Sequence, residues 1–133
     1  MTVERPAPEE YRQAAELRAA LRFYARRSEE IARAHGITPR QYHLLLMIKG
    51  APDGSERSTV TEIAERLQLT QSSVTELVTR AQEAGLIERV ASERDGRVVF
   101  LHLTPMAEDK LATVVREHGP DRRRLLEILS TLG

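Results

Sequence analysis

The chain contains no cysteine, which removes disulfides, thiol nucleophiles, thiolate metal sites and cysteine redox switches from consideration. It has no apolar run near the ~18 residues that a membrane-spanning helix needs, and no signal-peptide pattern at the N-terminus. A membrane role is therefore not expected, and the expected location is the cytoplasm. Catalytic signatures are lacking too: there is no phosphate-binding glycine loop, no Gly-x-Ser-x-Gly elbow and no His-Glu-x-x-His pattern, so no enzyme is expected. His35, His43, His102 and His118 fall on four separate predicted elements without a short-spaced pair, which argues against a zinc site. No metal or cofactor is expected. Net charge is also absent, with 20 basic residues against 20 acidic ones, and no internal repeat or low-complexity tract is visible.

What is present is a pattern of short amphipathic helices. The 133 residues, 41% hydrophobic and 30% charged, fit one domain over 1–133. The informative stretch is Arg57 to Leu103. Thr61 is a candidate cap for a short helix in which Ile63, Ala64 and Leu67 share a face. Gln68 and Leu69 make a tight connection, and Thr70 is a second candidate cap. In the helix that follows, Val74, Leu77, Val78 and Ala81 recur at i, i+3, i+4 and i+7, so they form one apolar stripe. Gln71, Ser72, Thr75, Glu76, Thr79 and Arg80 make up the opposite, hydrogen-bonding face. Two helices joined in this way, the second polar near its N-terminus, have the form of a helix-turn-helix that fits a major groove.

A hairpin follows. Gly85 ends the helix, Leu86 to Val90 reads as a strand, Ala91 to Gly96 as a charged tip and Val98 to Leu103 as a second strand. Such a hairpin is a wing, and Arg94 and Arg97 at its tip have the length and charge to enter a minor groove. From Arg57 to Thr104, six arginines face seven acids, so few counterions should be released on binding. Base-edge or phosphate contacts are expected from Thr70, Gln71, Ser72, Ser73 and Thr75, with Arg80 and Arg57 on phosphates.

The flanks carry surplus apolar surface. Residues 9–35 read as a helix with a heptad-like seam of Ala14, Leu17, Leu21, Tyr24, Ser28 and Ile31, stopped by Gly36. Thr38, Pro39 and Gln41 open a second helix with a capping box, and Leu44 to Ile48 make it apolar nearly all round. Arg57 to Thr59 is short enough to add only a third edge strand. Over 104–132, Thr104 and Pro105 start a helix, Gly119 and Pro120 break it, and Asp121 to Leu132 forms a last helix. Burying both flanks against a second copy gives a twofold homodimer with two reading helices on one face of double-stranded DNA, hence a pseudo-palindromic operator.

In this order the elements resemble the MarR family of bacterial transcriptional regulators over essentially the whole chain. The most specific likeness is DGRVVFLHLTPMAEDKL; TPRQYHLLLMI is similar to the family's second helix, and LTQSSVTELVTRAQEAGLIER to its recognition helix and first wing strand. The resemblance implies a mainly α (α+β) fold: a winged helix-turn-helix over 57–103 between dimerisation helices at 9–35 and 104–132. It implies that Asp95 orients Arg97 by a charge-assisted hydrogen bond. It also implies a small aromatic or amphipathic effector, for which Tyr24, His43 and Met47 are the candidate lining residues.

Three positions depart from the family pattern. Gln68 replaces the usual glycine in the turn, and either takes a left-handed conformation at some cost or reshapes it. Glu76 stands where a basic or small residue is common; it has the chemistry to accept from a cytosine amino group, and near phosphate it would repel. Ala81 is smaller than the usual leucine. The competing reading is a winged-helix module that binds protein rather than DNA, which the neutral charge permits.

Overall fold

Four threonines set the helix starts. The hydroxyls of Thr38, Thr59, Thr70 and Thr104 accept from the backbone amides of Gln41, Glu62, Ser73 and Ala107 at 3.1, 3.2, 3.1 and 3.2 Å, satisfying donors that a helix cannot pair internally. The computed structural model describes residues 2–132. Its elements in chain order are α1 (Pro8–Ala34), α2 (Pro39–Lys49), α3 (Val60–Leu67), α4 (Gln71–Glu83), β1 (Ile87–Ala91), β2 (Val99–Leu103), α5 (Pro105–Glu117) and α6 (Gly119–Leu132).

Two helix starts differ by two residues from the sequence reading. Thr59, not Thr61, caps α3, because the Glu62 carboxylate reaches back to the Thr59 amide at 2.9 Å and closes a reciprocal capping box. At the other end, Gly119 and Pro120 do not hold α6 back to Asp121. Helix resumes at Gly119, with Arg122 donating its amide to the His118 carbonyl, because proline in a first turn has no amide to lose.

The core is built around α2, which packs against α1, α3, α4, α5 and β2. Leu44, Leu45 and Ile48 of α2 are fully buried with Ile63, Val74, Val78, Leu101 and Val114. Apart from Leu101, which lies on the buried face of β2, these residues belong to the i, i+3, i+4 stripes of their helices, so helical periodicity leads directly to burial. β1 and β2 pair antiparallel from Ile87 opposite Leu103 to Ala91 opposite Val99. Ser58 adds a single bridge to Leu101 on the open edge, its amide and carbonyl bonded to that residue at 3.1 and 2.7 Å.

α1 is buried only near its C-terminal end, at Ser28, Ile31 and Ala32, while its earlier turns run beside α6. There Ala14 and Leu21 of the heptad-like seam are exposed, and Leu17 and Tyr24 half-buried.

Candidate nucleic-acid interface

The turn between α3 and α4 aims the second helix. Gln68 adopts the left-handed conformation, φ 57°, the first of the two outcomes open to a non-glycine residue there. Its side-chain amide donates to the Glu65 carbonyl at 2.8 Å, and the Leu69 amide returns to the Ala64 carbonyl at 3.0 Å, which offsets part of the cost of that backbone. α4 then lies with Val74, Leu77, Val78 and Ala81 buried. Ser72, Ser73, Thr75, Glu76, Thr79 and Arg80 are exposed.

Several expected contact residues are already engaged. The Thr70 hydroxyl accepts from the Ser73 amide and donates to the Ser73 hydroxyl at 2.9 Å. Gln71 donates to the Thr61 hydroxyl at 3.1 Å, tying the start of α4 to α3. Arg80 pairs with Glu76 at 2.8 Å. Arg57 lies on the wing rather than beside α4, its guanidinium 4.1 Å from the centre of the Phe100 ring, a stacking that holds the charge against the sheet. Ser72, whose hydroxyl lies 3.4 Å from that of Thr70, and Thr75 are exposed on α4.

At the wing tip, Asp95 shapes the turn as well as facing Arg97. Its carboxylate accepts from the Arg97 amide at 3.0 Å and from the guanidinium at 3.4 Å, while the Arg97 side chain is 94% exposed. The Arg94 amide donates to the Ser92 hydroxyl at 3.2 Å, leaving the Arg94 side chain exposed at the turn. The wing therefore presents two extended cations beyond a hydrogen-bonded turn.

Arg66 is a residue that sequence reasoning missed. From α3 it donates to the Met47 carbonyl at 3.2 Å, to the Ser58 hydroxyl at 2.6 Å and to the Glu62 carbonyl at 3.3 Å. One side chain thus joins α2, α3 and the Ser58 bridge to β2. A second missed feature is a groove of about 520 Å³ beside α4, into which Arg33, Arg40 and Arg80 project with Glu29 and Glu76. The only local sequence signal for it was Arg40 directly after the Thr38–Pro39 helix start.

The proposed effector residues do not gather in one place. Tyr24 lies on the His118 ring, centroids 4.3 Å apart, and borders a groove of about 520 Å³ with Phe23, Leu125 and Ile128. His43 is exposed on α2 and Met47 packs half-buried against the core; neither lines that groove. Among the described residues no cluster of three or more His, Asp or Glu is placed to hold a metal ion, and no helix is long and apolar enough to cross a membrane.

His118 itself is fully buried. A carbonyl only accepts, so Nε2 carries the hydrogen that it shares with the Tyr24 carbonyl at 3.2 Å, and among the described residues Nδ1 has no partner. Burial holds this imidazole below its usual pKa, against the opposing pull of Asp121.

A helix-turn-helix with an open polar second helix, followed by a two-stranded wing, is the architecture of a DNA-binding regulator. A profile described as MarR family matches residues 35–98. The solved structure of a MarR family protein from Bacillus stearothermophilus is 30% identical and superposes with a TM-score of 0.68, over 88% of this chain and 81% of that one. An uncharacterized HTH-type transcriptional regulator of Bacillus subtilis, YsmB, is 30% identical over 117 residues, 85% of this chain and 77% of the relative. The MarR family regulator Sco3205 of Streptomyces coelicolor, solved in complex with DNA, shares the fold at 21% identity and a TM-score of 0.71, over 93% of this chain and 77% of its own. The chain belongs to the MarR family of DNA-binding transcriptional regulators.

Proposed function

We propose that the chain works as a cytoplasmic homodimer that reads a pseudo-palindromic operator. α4 of each subunit enters a major groove, and Arg94 and Arg97 of each wing enter the flanking minor groove. The observation that carries this reading is the division of α4 into a buried apolar stripe and an open face of Ser72, Thr75, Glu76, Thr79 and Arg80. A helix so divided can lay its free side in a groove without disturbing its own packing. Ser72, Ser73 and Thr75 make base-edge or phosphate contacts. Thr70 and Gln71 hold the start of the helix in position and reach the duplex by rotating out of their present bonds. Arg80 and Arg57 meet phosphates, and Asp95 steadies Arg97.

The dimer forms through α1 and α6. Leu21 and Phe23 on one, and Leu126 and Leu129 on the other, are large apolar side chains exposed to solvent in the single chain, and a second copy removes them from water. An aromatic or amphipathic effector would act at the groove beside Tyr24, whose volume of about 520 Å³ lies in the range of small-molecule sites.

The test combines a solution mass with a titration of promoter DNA from beside the chain's own gene. A mass of twice 15.0 kDa and an affinity that falls as salt rises are expected. A single-chain mass, or no DNA binding even at low ionic strength, would favour the protein-binding alternative.

A further inference from the structure

At roughly 100° per residue, the direction opposite the buried stripe of α4 falls among Ser72, Glu76, Thr79 and Glu83, each within about 30° of it. Thr75 and Arg80 flank that direction, whereas Gln71 and Ser73 turn toward the sides, where they are bonded to Thr61 and Thr70. The centre of the open face therefore includes a carboxylate, Glu76. Its side chain is 67% exposed and its one ion-pair partner is Arg80 at 2.8 Å, itself 73% exposed.

A carboxylate is a pure acceptor, and the major-groove edges of the bases respond to it differently. Guanine offers two acceptors and repels it. Thymine offers an acceptor and a methyl group. Adenine offers an amino donor beside the N7 acceptor, and only cytosine presents an amino group without such a neighbour. Arg80, one turn further along on the same side, offsets the charge that Glu76 would otherwise bring to the phosphates.

Building on the DNA-reading dimer proposed above, we propose that Glu76, braced by Arg80, is a specificity-determining residue that selects cytosine at one position of each operator half-site. The wrong base at that position lowers affinity by roughly ten- to a hundredfold.

The experiment is selection from randomised duplexes by the full chain and by its Glu76→Gln and Glu76→Ala variants. The side chain is 67% exposed, and circular dichroism checks that both variants fold. The natural chain should enrich cytosine once per half-site. Glu76→Gln should change that position to adenine, which glutamine pairs through N6 and N7, and leave the others as they were. Glu76→Ala should accept any base there, binding duplexes with another base at that position more tightly than the natural chain does but the cytosine duplex no more tightly. Unchanged base frequencies in all three proteins, with only a uniform gain in affinity, would make Glu76 a repelling charge and overturn the proposal. Salt-dependent binding that enriches no sequence would overturn base reading by Glu76 while leaving DNA binding intact. No binding to any duplex at low salt would remove both.

Discussion

Replacing Arg66 with methionine keeps the aliphatic stem that packs between helices and removes the three hydrogen bonds of the guanidinium. The bond to Ser58 matters most, because Ser58 is fully buried and its hydroxyl bonds to the guanidinium at 2.6 Å. Stranding a buried hydroxyl costs about 1–3 kcal/mol, and a bond from a charged donor contributes about 1.5–3 kcal/mol. The Met47 carbonyl is among the last four of α2, which lack partners inside the helix. The Glu62 bond is local and exposed and adds little. A loss of about 2–4 kcal/mol follows, a large part of the ~5–15 kcal/mol that holds a typical domain together. Urea unfolding, read as the shift in midpoint at constant slope, measures it. Ser58→Ala, alone and combined with Arg66→Met, isolates the pair, and the coupling energy should be about 1–2 kcal/mol. A loss below about 0.5 kcal/mol, or strictly additive single variants, would refute the idea that Arg66 fastens α3 to the wing sheet.

Three further outcomes are expected. Arg97→Ala should weaken operator binding severalfold while changing stability by less than about 1 kcal/mol, since the side chain is exposed and its pair with Asp95 is long; unchanged affinity in a binding titration would mean that the wing does not engage DNA. Burial holds the pKa of His118 below its usual value in the folded chain, so the unfolded chain takes up a proton that the folded one resists. The stability this group supports is therefore full above about pH 6.5 and falls as pH drops from there toward the lower folded value. His118→Phe should flatten that part of the unfolding profile relative to the natural chain, and equal slopes for the two would contradict the assignment. Leu126→Glu together with Leu129→Glu, on the exposed face of α6, should yield a folded single chain in light scattering; a mass still twice that of the chain would move the dimer interface elsewhere.

Much of this architecture was legible because the informative residues are neighbours along the chain. Val74, Leu77, Val78 and Ala81 declare the buried side of α4 by their spacing alone, and Gly85 and the Asp95–Gly96 tip mark the wing. Local signals misled where two residues competed for one role: Thr59 and Thr61 both suit a helix cap, and the reach of Glu62 decides between them. The Gly119–Pro120 pair resembles a breaker, yet both residues are tolerated at a helix start.

The rest depended on contacts between distant parts of the chain. Nothing near Arg66 in sequence reveals that Met47 and Ser58 will offer it acceptors, and the stacking of His118 on Tyr24 joins residues at opposite ends of the chain. The effector candidates failed to assemble for a similar reason. Tyr24 borders the α1–α6 groove, while His43 and Met47, four residues apart on α2, lie outside it.

Methylation protection of guanine N7 on bound promoter DNA tests the central claim most directly, because it reads the floor of the major groove. Two protected patches, symmetric and about one helical turn of roughly 10 base pairs apart, are expected. Each should disappear when the open face of α4 is altered by Ser72→Ala with Thr75→Ala. A single patch, or binding that leaves every N7 reactive, would contradict a pair of α4 helices laid in successive major grooves.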